Sequence, residues 1–189
     1  DPPVLISRIL SNAGNGVQWV EIANATAAPL RLYDPANLQS NWQLDGVFYL
    51  FPAGVELAAG GRALVTSAEP AAVCLSGGVP SGVRVLGPLP LPLAAEEMDL
   101  ALGQPTLWGS GMAVGTLDQV HYYNEAPWPY RTADAVLSRA ALGGFGSEPA
   151  NWRSLPGSSF AAPDGAAGPP VDLSRATDLC SFDAFVNRD

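Results

Sequence analysis

The sequence predicts an all-β fold, a sandwich of two sheets, from three observations. Short runs of apolar and β-branched residues recur at short, regular spacing between turn-forming residues, a pattern typical of β-sandwiches. The chain of 189 residues contains 20 glycines and 18 prolines, which favours many turns over long helices. One stretch, residues 17–24, carries apolar residues on both of its faces, as expected of a strand in the middle of a sheet.

This central strand is the best defined element of the sequence. Trp19, Val20 and Ile22 have high strand propensity, and turn-forming residues bound the run on both sides. The two-residue period of a strand places Val20 and Ile22 on one face, whereas Trp19 and Glu21 point to the other. We therefore predict that Val20 and Ile22 lie in the core between the sheets.

The other strands of the first half follow in order. Residues 4–10 form a predicted strand, and simple alternation places Leu5, Ser7 and Ile9 on one face, opposite Ile6 and Arg8. A hairpin turn at residues 12–16 leads from this strand into the central one. Further short strands are predicted at residues 30–32, 41–44, 47–51 and 62–66, with a hairpin turn at residues 45–46.

The second half is less regular. Residues 83–86 predict a short strand, and the alternating prolines and leucines of residues 86–93 fit two interpretations. They form either an edge strand that lacks donors along one side or a polyproline II connector. Further strands are predicted at residues 98–102, 106–108 and 117–123, a strand or short helix at 135–142, and an extended C-terminal tail beyond residue 160.

Length and charge bound the classes of function. A chain of this size buries about 70% of its unfolded surface, so it can form a full core without a metal. The net charge is −9, and the nine basic residues are single arginines spread along the chain. Nucleic acid and anionic membrane surfaces attract clustered positive charge, so neither is a predicted partner. No apolar run approaches the length that a membrane span needs.

The two cysteines, Cys74 and Cys180, predict a disulfide. The sequence begins at Asp1 without a methionine, as expected of a mature exported protein whose signal has been removed. Two cysteines in an exported protein usually pair. Two buried free thiols are the alternative, and they fit this start less well.

Several stretches, in order, resemble the lamin tail domain family of exported bacterial proteins. The first strand and residues 19–24 look like the opening of the family, and residues 41–45 resemble its tryptophan strand around Trp42. Residues 51–61 resemble its proline–glycine turn. Residues 117–122 and 126–129 are similar to its late strand and Pro-Trp turn. The pattern ends in residues 136–139, 151–152 and 156–157.

The resemblance implies a fold and a domain organisation. It implies an immunoglobulin-like β-sandwich over residues 1–160, with an inserted Pro/Gly-rich region at about residues 67–100. Residues 161–189 then form a tail that docks back through Cys180. The family positions also imply that Trp19 and Trp42 are core residues. Members of the family act as attachment or interaction modules, although fold likeness alone does not establish function.

The residues offer no convincing catalytic or metal constellation. His121 is the only histidine, and the strand alternation places Asp118 and Tyr122 on the opposite face. The carboxylates of Glu96, Glu97 and Asp99 lie close in sequence but lack the spacing of an EF-hand, which favours a solvated acidic turn. The sequence therefore predicts no enzyme, cofactor or metal site.

Two classes of function fit these observations. The first is a non-catalytic structural or protein-interaction subunit of a bacterial cell-envelope or extracellular assembly, whose partners are other exported proteins. The second is a carbohydrate- or calcium-binding accessory module of a secreted protein. An exposed row of tryptophans would favour the second class, and a contact surface for another chain would favour the first.

Overall fold

The computed structural model describes residues 2–80, 82–108, 111–157 and 160, and within them the chain is built mainly of strands. The predicted all-β class is therefore confirmed, whereas the specific type of sandwich is a separate question. The first half contains β1 (Val4–Leu10), β2 (Trp19–Asn24), β3 (Leu30–Arg31), β4 (Tyr33–Asp34), β5 (Asn37–Asn41), β6 (Gln43–Asp45), β7 (Tyr49–Leu50), β8 (Glu56–Leu57) and β9 (Arg62–Thr66). The second half contains α1 (Pro70–Ser76), β10 (Arg84–Leu86), β11 (Glu97–Trp108), β12 (Gly111–Tyr123), β13 (Val136–Arg139), a 3-10 turn (Pro149–Asn151) and β14 (Trp152–Leu155).

The larger of the two main sheets has six strands in the order β10-β9-β2-β1-β13-β14. Strand β2 lies between β1 and β9 and pairs antiparallel with both, so the prediction that it is an interior strand is confirmed. Strands β9 and β10 are parallel. A parallel neighbour needs a crossover connection, and the segment that contains α1 supplies it.

The second sheet has four strands in the order β12-β11-β6-β7. Strands β11 and β12 form a hairpin much longer than the sequence predicted, with Glu97 paired to Tyr123 at one end and Trp108 to Gly111 at the other. The separate strand predicted at residues 106–108 is wrong, because these residues continue β11. Two small two-stranded sheets, β3-β8 and β4-β5, complete the described strands.

One large apolar cluster joins the two main sheets. Val20 and Ile22 of the six-stranded sheet are fully buried in it, together with Trp42. The four-stranded sheet contributes Leu44, Leu100, Leu102, Val120 and Tyr122 to the same cluster. The inward faces of the two main sheets therefore pack against each other.

A β-bulge corrects the predicted faces of β1. The register passes from Ile6 opposite Ile22 to Arg8 opposite Glu21, so one extra residue, Ser7, lies in β1. Beyond the bulge the faces exchange, and Ile9 joins Ile6 in the main cluster. Simple alternation put Ile9 on the opposite face from Ile6, which is wrong because a bulge shifts the period by one residue.

The outward face of the six-stranded sheet is also buried. Trp19 and Leu64 form a second apolar cluster there with Leu10 and Val136. Phe160 packs against this cluster, with its ring centroid 5.7 Å from that of Trp19. The sheet therefore has apolar contacts on both of its faces.

The region of residues 67–100 contains the largest departures from the predicted elements. Residues 70–76 form α1, which the sequence reading did not predict. Residues 87–93 are an irregular connector whose Leu89 N–H donates to the carbonyl of Thr66. Leu89 and Leu93 are buried in the main cluster and anchor the connector to the core, whereas Leu91 between them is exposed.

Two further predictions concern the C-terminal tail and the absence of a membrane span. The tail at 161–189 and its docking through Cys180 lie outside the described residues. Among the described residues, no helix has the length and apolar character needed to cross a membrane.

Candidate functional site

A buried carboxylate organises the outward face of the six-stranded sheet. Glu21 lies on β2 and is fully buried. Its Oε1 accepts hydrogen bonds from Ser7 Oγ at 2.5 Å and from Arg62 Nη1 at 3.1 Å, and its Oε2 accepts from Arg8 Nη2. A buried carboxylate is tolerated only when it is paired and hydrogen-bonded. Three donors from the two neighbouring strands, Ser7 and Arg8 on β1 and Arg62 on β9, meet this requirement.

The bulge in β1 explains why these donors converge. It places both Ser7 and Arg8 on the Glu21 side of the strand, because the extra residue interrupts the alternation. Arg62 comes from the other neighbour, β9, where it lies one residue from the partner of Ile22. The site is thus fixed by strands on both sides of β2.

A second buried ion pair lies beside the first. Arg139 Nη2 on β13 contacts both carboxylate oxygens of Asp118 on β12, at 2.6 and 2.5 Å. The Asp118 Oδ2 atom also accepts a hydrogen bond of 2.8 Å from the Ile6 backbone N–H. The Arg139 guanidinium lies 5.2 Å from the ring centroid of Trp152, and its Nη1 donates to the Gly144 carbonyl at 2.8 Å. This pair connects the two main sheets.

A pocket of about 170 Å³ opens between these two ion pairs. Four arginines and one carboxylate line it, and the remaining walls are small or apolar. The lining residues are Ser7, Arg8, Glu21, Arg62, Ser138, Arg139, Ala140, Ala141, Leu142 and Arg153. We refer to this site as the arginine pocket.

The arginine pocket is electropositive in an acidic protein. Its four arginines carry +4, Glu21 contributes −1, and Asp118 behind Arg139 contributes another −1, which leaves +4 − 2 = +2. The whole chain carries −9 and has nine arginines, so almost half of its positive charge surrounds one small cavity. Guanidinium groups present planar pairs of N–H donors that match carboxylates and other oxyanions. The arrangement is therefore suited to binding an anion.

The only histidine lies at a different, solvent-exposed position. His121 on β12 contacts two carboxylates of β11, with Nδ1 2.5 Å from Asp99 Oδ1 and Nε2 3.2 Å from Glu97 Oε1. Its ring stacks on Tyr123 with a centroid distance of 4.6 Å. The predicted face opposite Asp118 and Tyr122 is confirmed, since those two side chains are buried. The contact with Asp99 follows from the hairpin register, which the sequence reading did not determine.

The predicted acidic turn is wrong for Glu97 and Asp99, which lie on β11. No group of three histidine, cysteine or carboxylate side chains is placed to hold a metal ion within the described ranges. Glu97 and Asp99 instead face the same imidazole ring.

Most of the tryptophans are buried. The exposed fractions of Trp19, Trp42, Trp128 and Trp152 are 0%, 4%, 6% and 4%, and the side chain of Trp108 lies outside the described part. None of the four described indoles can therefore serve as an exposed stacking platform for a sugar.

A second group of polar side chains fixes the connector to β12. The Tyr122 hydroxyl donates to the Ala94 carbonyl at 2.6 Å, and Arg131 Nη2 donates to the Ala95 carbonyl at 2.9 Å. Burial raises the pKa of Tyr122 to about 12, against the opposing effects of the Ser11 side chain and the Arg131 charge. Burial also lowers the pKa of Arg131. These groups hold the connector in place on β12.

Cys74 lies in α1 and is half-buried. No free cysteine occurs among the described residues. Because Cys180 lies outside them, the disulfide between the two stays a prediction.

The arginine pocket was not predicted from the sequence. Its signal was present as charged residues within otherwise apolar strands, at Arg8 in β1 and Glu21 in β2. A charge at a strand position with apolar neighbours on both sides needs a buried partner. The partners of these charged residues could not be derived, because their positions depend on the bulge in β1 and on its pairing with β13, more than 110 residues further along the chain.

Comparisons with known proteins add no identity to this site. No family model matches the chain, and searches among curated proteins and among solved structures give no match. The resemblance to the lamin tail domain family stays a prediction.

Proposed function

We propose that the chain is a non-catalytic protein-interaction subunit of an exported assembly, in the cell envelope or outside the cell. The observation that supports this is the arginine pocket, together with Phe160, whose backbone carbonyl accepts a hydrogen bond from Arg8 of the pocket. A positively charged cavity beside an apolar face is a combination that holds extended protein segments.

The contacts of Phe160 support this proposal. The Phe160 ring packs on Trp19, and its backbone carbonyl accepts a hydrogen bond of 2.7 Å from Arg8 Nη2. Arg8 also contacts Glu21 and lies 5.3 Å from the Trp19 ring centroid. One aromatic contact and one charge-assisted hydrogen bond thus hold Phe160 on this face.

We also propose a specific type for the all-β fold, an immunoglobulin-like sandwich of the lamin tail family. It is supported by the single core shared by the six- and four-stranded sheets and by the interior position of β2. The resemblance in residues 4–10, 19–24 and 41–45 implies a domain that attaches proteins to one another. Export is part of the same proposal and is supported by the predicted disulfide between Cys74 and Cys180.

The alternative, a carbohydrate- or calcium-binding accessory module, has less support. The four described indoles are buried, and the exposed carboxylates Glu97 and Asp99 contact His121. The arginine pocket is electropositive, which disfavours a cation there. A protein segment with anionic groups fits the observed charge better.

Chemical cross-linking in native envelope extracts tests the proposal. The wild-type chain is compared with the double variant Arg62→Glu/Arg153→Glu, which reverses two charges of the arginine pocket. Arg31→Glu is the matched control, because Arg31 belongs to an exposed ion pair with Glu56 on the small β3-β8 sheet. We expect discrete cross-linked species with wild type and with the control, and their loss with the double variant.

Two results would overturn the proposal. One is an identical cross-linking pattern for wild type and the pocket variant, with both chains folded by circular dichroism. The other is a stable monomer that forms no cross-linked species and turns over a sugar or ester substrate.

A further inference from the structure

We infer that the outer edge of β12, at residues 113–116, is an interface through which two copies of this chain pair as antiparallel strands. The pairing joins the two four-stranded sheets across a two-fold axis into one continuous sheet of 4 + 4 = 8 strands. This edge is separate from the arginine pocket, so the inference goes beyond the proposed function and does not rest on it.

The hairpin of β11 and β12 extends beyond the rest of its sheet. Strand β6 accompanies β11 only as far as Gly103, which pairs with Gln43. Past this point, residues 104–106 of β11 pair with residues 113–115 of β12. A hairpin of two strands is only marginally stable by itself in water. A further strand at its edge would therefore stabilise this part of the chain.

The side of the hairpin that remains open is the outer edge of β12. This strand is the last in the order of its sheet, and residues 113–116 are all exposed, with Val114 at 46%. Further along β12, Asp118 Oδ2 accepts a hydrogen bond from the Ile6 N–H of β1, so that part of the strand lies against the other sheet. On the opposite side of the hairpin, Pro105 of β11 has no N–H to donate. A pairing strand therefore finds donors and acceptors at residues 113–116.

The three other edges of the two main sheets carry the usual protection against strand pairing. Strand β7 has only two residues. Strand β10 has three residues and begins with Arg84, and β14 has four residues and exposes Arg153. Short edge strands and charged side chains are the devices that prevent pairing with other chains. Strand β12 has 13 residues without a proline, and its single charged side chain before His121, Asp118, is buried. It is the edge that lacks this protection.

The charge pattern allows a second copy to approach this edge. The chain carries −9, so two copies repel each other over most of their surfaces. Residues 100–117, 18 in number, form the longest run without a charged residue, between Asp99 and Asp118. The carboxylate of Asp45 lies on β6, two strands inward from the β12 edge, which is about 10 Å at the usual strand spacing. This separation exceeds the screening length of about 8 Å at physiological ionic strength.

The residues of the edge fit a copy of themselves better than a foreign peptide. Recognition of a foreign strand takes its specificity from pockets that hold alternate side chains. The edge offers Ala113, Val114, Gly115 and Thr116, which are small and all exposed, so they form no wall around such a side chain. A two-fold axis places the same small, uncharged residues opposite one another. Because only about four residues of each copy take part, we expect a weak and reversible dimer.

Sedimentation equilibrium of the purified full-length chain tests the inference, at concentrations from about 1 µM to about 1 mM. We expect a reversible monomer–dimer equilibrium for the wild type. Val114→Glu and Val114→Lys should each raise the dimer Kd about tenfold or more, which is equivalent to about 1.4 kcal/mol. The effect should be the same for both signs of charge, because the two-fold axis brings identical charges together. Attraction of a lysine to the acidic surface would instead make Val114→Lys dimerise more strongly than wild type.

Two controls locate the interface. Leu50→Glu places the same charge at an exposed apolar position on β7, the opposite edge of the same sheet, and should leave the Kd unchanged. The pocket variant Arg62→Glu/Arg153→Glu should also dimerise as the wild type does. Added salt should not weaken the dimer, because no ion pair holds it and the repulsion between two acidic chains is screened.

Amide hydrogen exchange of the wild type provides a second measurement that needs no variant. Exchange in residues 113–116 should slow as the protein concentration rises through the Kd, because outward-facing N–H groups gain acceptors from the second copy. Exchange in β7 should not depend on concentration. This measurement decides the question even if a charge at Val114 impairs folding of the hairpin.

Each other outcome overturns the inference. A chain that stays monomeric up to the highest concentration has no such interface. A dimer whose exchange in residues 113–116 does not depend on concentration is formed elsewhere, and a dimer that salt and the pocket variant both weaken is formed at the arginine pocket. A monomeric chain whose residues 113–116 become protected only in native extracts pairs with a strand of another protein. These results leave the cross-linking test of the pocket unaffected, so the two proposals fail independently.

Discussion

Removal of the Asp118 carboxylate should destabilise the protein more than any change at an exposed ion pair. The substitution is Asp118→Ala, and the side chain it removes accepts hydrogen bonds from Arg139 and from the Ile6 backbone N–H. The exposed fractions of the two charged side chains are 0% for Arg139 and 4% for Asp118. The guanidinium would therefore stay buried with its charge uncompensated.

The magnitude follows from two overlapping losses. Breaking a buried ion pair by removing one partner costs about 3–5 kcal/mol. The Ile6 N–H loses its acceptor, which adds about 1–3 kcal/mol for an unsatisfied buried donor. Because water can enter the vacated space and serve both groups, we expect a total of about 4–6 kcal/mol. For a domain of this size that corresponds to a decrease in melting temperature of about 10–20 °C.

Urea denaturation followed by tryptophan fluorescence measures this loss. Glu56→Ala is the control, because it breaks the exposed Arg31–Glu56 pair and should cost about 0–1 kcal/mol. Asp118→Asn should fall between the two, since its amide oxygen can still accept from Ile6 while the charge is lost. A loss for Asp118→Ala equal to that of Glu56→Ala, at unchanged m-value, would refute the assignment of this pair as a buried connection between the sheets.

Three further predictions test the core, the cysteines and the connector. Ile22→Ala should reduce the free energy of unfolding by about 2–5 kcal/mol, because Ile22 is fully buried, and a loss within error in urea titration would contradict its core position. Thiol titration of the unfolded, unreduced protein should find no thiol if Cys74 and Cys180 are paired, and two titratable thiols would exclude the disulfide. The pKa of Tyr122 is raised to about 12, above its usual value near 10. The stability that the protonated Tyr122 hydroxyl contributes, up to about 3 kcal/mol, is thus present below pH 10 and lost as the pH rises towards 12. Tyr122→Phe should reduce the alkaline decrease in denaturation measurements, to which Tyr49, with its pKa also raised to about 12 by burial, still contributes, and an unchanged profile would contradict the prediction.

The strands were predictable where local sequence decides the structure. The predicted and observed bounds of β1 and β9 agree, because propensity and turn residues coincide at their ends. The helix α1 has a recognisable signal, a proline at its start and Gly77 after its end. The helix was not predicted because this signal lies in a region rich in proline and glycine, and the apolar residues there do not repeat at helical spacing.

The arginine pocket could not be derived from local patterns. Period-two alternation assigns a face to each residue of β1, but a bulge at Ser7 reverses the assignment from Arg8 onward. Nothing in the sequence of β1 requires the bulge, which is stabilised by Asp118 through its bond to the Ile6 N–H. The residues that form the site are thus selected by pairing between distant strands, which a single sequence does not specify.

The position of β1 has a consequence for the order of folding. Strands β1, β2 and β9 are complete by Thr66, whereas the other neighbour of β1, strand β13, begins only at Val136. A chain that emerges from the ribosome in this order carries β1 as an open sheet edge while about seventy further residues are added. Unpaired edges invite pairing with other chains, and contacts between distant residues form slowly. The nascent chain is therefore most exposed to self-association between the synthesis of β9 and that of β13, when a chaperone that shields strand edges would have its largest effect on yield.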